Sequence, residues 1–145
     1  MSSETVIGID VSRDWLDCFC LPGKQRFRLQ NSPDGYARLL ETLPSMPDDL
    51  KVGFEATGGQ EWALWRVLIS MGINAVQLPP AQIKAFAFSM GKRAKTDQID
   101  AELIARFMVV RPEAGRALPD EKLQLLLALT VRRAQMVDAR KRLSA

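Results

Sequence analysis

The stretch TVIGIDV, residues 5–11, is apolar and rich in β-branched side chains apart from a single aspartate, Asp10. Such a run is typical of a central strand that is buried on both faces of a sheet. Placing a charged carboxylate there costs on the order of several kcal/mol unless another group compensates it. The stretch therefore predicts a buried strand that carries a functional acid.

The flanking segments predict the remaining strands of this sheet. WLDCFCL, residues 15–21, and KQRFRLQ, residues 24–30, follow tight turns and complete an antiparallel meander, in which the second segment alternates like an exposed strand. LKVGFEA, residues 50–56, and INAVQL, residues 73–78, are apolar runs typical of buried strands. Five strands are therefore expected.

Helical patterns separate the later strands. Helices are predicted after Asn31-Ser32-Pro33, after Thr57-Gly58-Gly59, over residues 81–89 and within KRAKTDQIDAELIARF, residues 92–107, and a long final helix is predicted from Pro119-Asp120. The resulting order, β-β-β-α-β-α-β-α, indicates an α/β fold with a mixed sheet and helices on both faces.

Four acids are candidates for a shared site. Asp10 and Glu55 lie at the carboxyl ends of predicted buried strands, where catalytic groups gather in parallel sheets. Asp97 and Asp100 lie three residues apart in what is predicted to be the first turn of the late helix, on one face of it. Taken singly, Asp97 is also a plausible helix cap and Glu55 a solvated strand end.

The residue types restrict the chemistry of such a site. The chain has no histidine, which excludes His-based triads and zinc sites that use His. Cys18 and Cys20 are expected to be free thiols on one strand face, because side chains at that spacing do not readily bond to each other. Converging carboxylates without His or Cys favour Mg²⁺ or Mn²⁺. Two such ions about 4 Å apart stabilise the attacking and leaving oxygens of a phosphodiester.

Positive charge surrounds these acids and continues in the C-terminal segment. Lys92, Arg93 and Lys95 precede the Asp97 pair, which suits contacts to phosphates that flank a cut, although a solvated loop explains them equally well. Residues 120–145 contain six Lys or Arg and three Asp or Glu. Their basic end is predicted to follow nucleic acid and consists of Arg140, Lys141 and Arg142.

Three motifs carry a resemblance to a known family. GIDVS around Asp10, FEATGG around Glu55 and AKTDQIDA around Asp97 and Asp100 resemble the DEDD-motif transposases and the Piv-type DNA invertases. The resemblance implies a RuvC-like domain of the ribonuclease H-like fold, with a mixed five-stranded sheet. It also implies that the four acids are catalytic metal ligands for Mg²⁺ or Mn²⁺.

The resemblance further implies a domain plan and a function. Residues 1–112 are expected to form the RuvC-like DEDD catalytic domain, and residues 113–145 a long C-terminal helix that leads to an absent second domain. The implied function is divalent-metal-dependent cleavage and transfer of DNA strands in the movement of a mobile element. DNA is the expected partner, a structured guide RNA is left open, and a homo-oligomer through the helix or the missing domain is expected.

Two alternatives stay open at this point. The first is an ATP-dependent phosphotransferase of the sugar-kinase and actin superfamily, although Val11-Ser12-Arg13 stand where a phosphate-binding glycine is usual. The second is a nucleic-acid-binding module without catalysis. Because no apolar run approaches the roughly 20 residues that span a bilayer and no export signal is recognised, we expect no membrane contact. The expected location is the cytoplasm of a bacterium or archaeon, in association with the nucleoid.

Overall fold

The computed structural model describes residues 5–43, 49–91 and 99–117. Within these ranges the chain forms a mixed five-stranded sheet with helices on both faces, as the sequence predicted. The elements in chain order are β1 (Val6–Val11), β2 (Trp15–Leu21), β3 (Arg26–Gln30), α1 (Pro33–Thr42), β4 (Lys51–Glu55), α2 (Trp62–Ser70), β5 (Asn74–Leu78), α3 (Pro80–Ser89) and α4 (Ala101–Val110). The predicted helix from Pro119-Asp120 lies outside the described residues.

The sheet places β1 at its centre. The spatial order is β3-β2-β1-β4-β5, with antiparallel pairs on the β3 side of β1 and parallel pairs on the β5 side. The predicted meander is therefore confirmed. The carboxyl ends of β1, β4 and β5 meet at one edge, because parallel strands end on the same side.

One face of the sheet is covered by α1 and α2. Trp65 of α2 packs edge-on against Phe54 of β4 with ring centroids 5.4 Å apart, and its indole N–H donates to the Ala75 carbonyl at 3.1 Å. Both predicted free thiols, Cys18 and Cys20, lie buried in this core. Apolar residues at odd positions of β1 and even positions of β2 and β4 build this face: Ile7, Ile9, Val11, Leu16, Cys18, Cys20, Val52 and Phe54.

The other face is covered by α3 and α4. Its core contains Ile83 of α3 and Ile104 and Phe107 of α4, packed on Val6 and Val76 of the sheet. Within the described ranges, no helix is both long enough and apolar enough to cross a bilayer.

The two edge strands differ in exposure. In β3 the residues alternate between exposed and half-buried, as the sequence predicted for an exposed strand. At the opposite edge, the segment after α4 returns to β5, where Gln77 and Arg116 form an antiparallel bridge. Residues 114–116 therefore pack against the sheet. The segment 113–145 was predicted as a C-terminal helix, but its described part, residues 113–117, is not helical, and residues 118–145 lie outside the described residues.

Candidate active site

Asp10 and Glu55 lie side by side on the face covered by α3 and α4. In the parallel pair of β1 and β4, Ile9 stands opposite Phe54, and both side chains belong to the core on the other face. Because side chains alternate along a strand, the next residue of each strand points the opposite way. Asp10 and Glu55 are those residues, and both are half-buried.

A pair of glycines lets α4 approach the sheet beside these acids. Gly8 and Gly53 are Cα partners two residues before Asp10 and Glu55, and therefore share their face. A Cβ atom on Gly8 would lie 2.4 Å from the Ala101 carbonyl oxygen, at the first turn of α4. A side chain at either position would hold the helix away from the sheet. The matching spacing in Gly8-Ile9-Asp10 and Gly53-Phe54-Glu55 is a signal in the sequence for this arrangement.

The N-terminus of α4 brings Asp100 towards the same point. Asp100 is the N-cap of α4, with an extended backbone, and its Oδ1 accepts a hydrogen bond from the Leu103 N–H at 2.8 Å. The expectation that Asp100 lies in the first turn was wrong, because α4 begins at Ala101, and the predicted face shared with Asp97 cannot be compared because Asp97 lies outside the described residues. An aspartate side chain that satisfies a free N–H is favoured at the cap over the helix interior.

The described acids interact through their charges. Burial raises the pKa of Asp10, the negative charges of Asp17 and Asp100 raise it further, and Arg28 opposes them. Burial also raises the pKa of Glu55, and the charge of Asp10 adds to that rise. Lys84 lowers the Glu55 pKa and Glu61 raises it. Desolvation and neighbouring negative charges therefore disfavour the charged form of Asp10 and of Glu55, which is the situation that a bound cation relieves.

We expect Glu55→Gln to raise the melting temperature of the metal-free protein by a few degrees at neutral pH. The folded state holds the pKa of Glu55 above its ordinary value of 4.5. The folded state therefore binds this proton more tightly than the unfolded chain does, and stability falls as pH rises from about 4.5 through the folded pKa. Melting curves between about pH 3.5 and 7.5 should show the gain growing with pH and vanishing in acid.

Glu41→Gln is the matched control for this measurement, because Glu41 is exposed near the end of α1. Because exposed charges contribute little to stability, the melting temperature of this variant should stay close to that of the parent over the same pH range. A Glu55→Gln protein that is less stable than the parent at neutral pH would contradict this prediction. It would show that favourable interactions of the Glu55 carboxylate in the folded state outweigh its desolvation and repulsion.

The chemistry of the donors fits Mg²⁺ or Mn²⁺. Asp10, Glu55 and Asp100 offer hard carboxylate oxygens, and Mg²⁺ commonly binds through one or two carboxylates together with water and substrate phosphate. Among the described residues, no three Asp, Glu or Cys side chains are close enough to enclose an ion by themselves. A complete centre therefore needs further donors, and Asp97, the fourth predicted acid, lies outside the described residues.

Asp17 and Arg28 are neighbours of the site that sequence reasoning missed. Asp17 is the Cα partner of Asp10 across β1 and β2, and residues directly opposite each other share a face. Arg28 of β3 donates to both Asp17 oxygens, from Nε at 2.7 Å and from a terminal nitrogen at 3.2 Å. The alternation of WLDCFCL and KQRFRLQ places both residues on one face, but only the strand register shows that they pair.

Glu61 is a buried acid that was also missed, and it shapes the turn after Glu55. The Glu61 side chain is 0% exposed. It accepts hydrogen bonds from the Thr57 N–H at 2.7 Å, from the Thr57 hydroxyl at 2.9 Å and from the Gln77 amide at 3.3 Å. Arg116 donates in turn to Gln77 at 2.8 Å, so that one network joins this turn to the sheet edge. The sequence signal is a Glu four residues after Thr57.

The predicted nucleic-acid contacts cannot be placed on this surface. They lie outside the described residues and are Lys92, Arg93, Lys95, Arg140, Lys141 and Arg142. Asp97 is outside them as well, so the structure describes three of the four predicted acids and brings them to one edge of the sheet.

Comparison with solved structures identifies the fold. RuvC of T. thermophilus, solved in complex with a Holliday junction substrate, superimposes with a TM-score of 0.52 over 78% of this chain and 99% of that one, at 17% sequence identity. The fold is therefore RuvC-like, a mixed α/β sheet of the ribonuclease H-like class.

Sequence comparisons identify the family. The family model DEDD_Tnp_IS110, described as a transposase, matches residues 7–145, and the chain belongs to this transposase family. Pilin gene-inverting proteins of Moraxella lacunata and Moraxella bovis are each 29% identical to it over 154 aligned positions. The alignments cover 99% of this chain and 47% of each relative, so the chain spans about half the length of these relatives.

Proposed function

We propose that this chain is the catalytic domain of a DEDD-type recombinase that cleaves and transfers DNA strands when a mobile element moves. The observation that carries the proposal is the placement of Asp10 and Glu55 on neighbouring strands, at one edge and on one face of a RuvC-like sheet. Asp100 at the start of α4 adds a third charge that acts on Asp10. Membership of the transposase family favours this function over the phosphotransferase alternative.

Each acid has a role in this proposal. Asp10, Glu55, Asp97 and Asp100 hold Mg²⁺ or Mn²⁺. When bound, such ions polarise the phosphodiester and promote deprotonation of the attacking group. Half-burial of Asp10 and Glu55 reduces solvent screening, which strengthens their interaction with a cation.

The basic residues and the partners complete the proposal. The phosphates that flank the cut contact Lys92, Arg93 and Lys95. More distant parts of the nucleic acid contact Arg140, Lys141 and Arg142. The attacking group is water or a protein hydroxyl from beyond this chain. Residues 113–145 connect to a second domain, and assembly into a homo-oligomer uses this segment or that domain. DNA is the substrate, and the protein acts at the nucleoid in the cytoplasm, with or without a structured RNA guide.

Mn²⁺ should raise the melting temperature of the protein, because an ion that binds the folded state stabilises it by mass action. At a free Mn²⁺ concentration of about one hundred times Kd the stabilisation is about 2.7 kcal/mol, or roughly 5–10 °C for a domain of this size. Asp10→Asn should remove most of this shift. Differential scanning calorimetry with and without Mn²⁺ measures it.

Glu41→Gln serves again as the control, because it removes an acid that is exposed near the end of α1, and it should keep the full Mn²⁺ shift. If the nucleic-acid-binding module without catalysis were correct, neither the parent nor the variants would respond to Mn²⁺. A shift that survives Asp10→Asn would place the ion elsewhere in the protein.

A further inference from the structure

An exposed indole stands on the same face as the candidate carboxylates. Trp15 begins β2, and alternation along the strand places its side chain on the face of Asp17. Trp15 is 40% exposed, whereas Trp65 and Phe54 in the opposite core are 1% and 0% exposed. A large aromatic side chain left open beside a catalytic site is a feature of binding surfaces.

Arg28 holds this indole in place and links it to the acids. The guanidinium of Arg28 lies over the Trp15 ring at 5.0 Å from its centroid, while the same group forms the two-pronged pair with Asp17. Since Asp17 is the Cα partner of Asp10, a continuous row leads from the candidate metal ligand to the indole. The Trp15–Arg28 pair is therefore fixed before any ligand arrives, which lowers the entropic cost of binding.

A second arginine–aromatic pair, Arg26 over Phe19, lies further along the same strands, but it is not accessible to a ligand. Arg26 lies over Phe19 at 4.9 Å, but its guanidinium also pairs with Glu102 of α4 at 2.9 Å. Phe19 is 5% exposed and belongs to the core beneath α4. The Arg26 stack is thus part of the packing of the domain, whereas the Trp15 stack is open to solvent.

A cleft of about 550 Å³ begins at the Trp15–Arg28 pair and extends along β3 to α1. Two arginines, Arg28 and Arg38, and one acid, Asp34, are the charged residues among those that line it. Its lining is mainly polar and carries a net positive charge, which suits a strand with phosphates on one side and exposed bases on the other.

We propose that the Trp15–Arg28 pair is a stacking platform for an unpaired base of the DNA strand next to the reacting phosphodiester. This inference rests on the proposed function, because it assigns a substrate contact to the same face as Asp10. A base stacks on the open part of the indole, and arginines of the cleft contact the adjacent phosphates. A base inside a duplex cannot reach the ring, so the platform selects DNA that is locally single-stranded.

Binding of fluorescently labelled oligonucleotides by the protein, without metal, tests the platform. Alanine substitution of a stacking aromatic typically weakens binding at least about fivefold, and we expect that loss for Trp15→Ala with single-stranded DNA. Trp15→Phe, which keeps an aromatic face, should recover part of the affinity. Arg66→Ala is the control, because Arg66 is exposed on α2 across the sheet and its loss removes one positive charge without touching the cleft.

An abasic position introduced into the oligonucleotide separates stacking from a change in the fold. It should weaken binding to the parent protein as Trp15→Ala does, and it should add little to the loss in the Trp15→Ala protein. Fully additive losses would overturn the platform. The platform would also be overturned if Trp15→Ala bound single-stranded DNA as tightly as the parent, or if this substitution weakened binding of duplex DNA by the same factor. A parent protein that does not bind single-stranded DNA would overturn it as well. A larger loss with RNA than with DNA would overturn the assignment to DNA.

The outcome is independent of the proposed metal chemistry. Binding of single-stranded DNA is measured without metal and strand cleavage with it, so the two readouts separate the platform on β2 and β3 from the metal site. If the parent protein shows no metal-dependent cleavage while Trp15→Ala weakens binding of single-stranded DNA, the proposed function fails and the platform stands. If Trp15→Ala binds single-stranded DNA and cleaves like the parent, the platform fails and the proposed function stands.

Discussion

Asp10→Asn should reduce metal-dependent strand cleavage by at least about a thousandfold, since the ions are expected to supply several kcal/mol of transition-state stabilisation. The substitution replaces a negatively charged oxygen donor with a neutral amide on the central strand. It also removes a carboxylate whose pKa burial and neighbouring acids raise, so the metal-free variant should fold at least as well as the parent at neutral pH. Single-turnover cleavage by the full-length protein, with Mg²⁺ and with Mn²⁺, measures the loss.

Asp14→Asn provides a matched control. Asp14 is an exposed acid in the turn between β1 and β2, and it pairs with Arg13 at the surface. The same chemical change there should leave the cleavage rate within about twofold, because exposed ion pairs contribute little. Full Mg²⁺-dependent activity in the Asp10→Asn protein would show that Asp10 is not a metal ligand, whatever the fold.

Gly8→Ala should lower the free energy of unfolding by about 1–3 kcal/mol, the usual cost of forcing an extra carbon into a packed interior. The added Cβ would lie 2.4 Å from the Ala101 carbonyl oxygen and 2.5 Å from the Ala105 nitrogen, and both are backbone atoms that cannot rotate away. Helix α4 must therefore move off the sheet and carry Asp100 with it. Urea denaturation measures the stability, and the Mn²⁺ shift of the melting temperature measures the effect on the site.

Gly58→Ala is the control for this effect, because a Cβ at Gly58 meets nothing within 4 Å. It should be neutral or more stable by about 0.4–1 kcal/mol, since alanine restricts the unfolded chain. A Gly8→Ala protein as stable as the parent would contradict the close packing of α4 on β1. Reduced stability with an unchanged Mn²⁺ shift would show that metal binding does not depend on the position of Asp100.

The geometry of the acids implies a balance between stability and chemistry. Burial disfavours the charged forms of Asp10 and Glu55; the charge of Asp10 adds to this cost at Glu55, and those of Asp17 and Asp100 add to it at Asp10. Arg28 reduces that cost by pairing with Asp17, which leaves Asp10 without a partner of its own among the described ion pairs. A site that is unfavourable without its cation binds the cation more strongly when it arrives.

The strands and helices were predictable because their signals are local. The run around Asp10 and the alternation of residues 24–30 each reflect how many faces of a strand are buried, and that is visible in consecutive residues. Ser32-Pro33 was predictable for the same reason: the Ser32 hydroxyl caps α1 by accepting from the Gly35 N–H, and Pro33 occupies the first helical position.

The start of α4 was not predictable at the same accuracy, because two aspartates compete for one cap. Asp97 and Asp100 both precede a helical pattern, and either side chain can accept from a free N–H. The structure assigns the N-cap to Asp100, and the first helical residue, Ala101, lies against Gly8 of the sheet.

By itself, the sequence determined the class of fold, the order of its elements and the acids worth examining, because burial, turn chemistry and charge are properties of neighbouring residues. Only the tertiary structure decided that Asp10 lies beside Glu55 and within reach of the charge of Asp100, that Asp17 stands beside Asp10, and that Trp15 lies open next to them. Those contacts depend on strand register and on how closely a helix approaches the sheet. Both are set by packing between segments far apart in the chain, which no local pattern records.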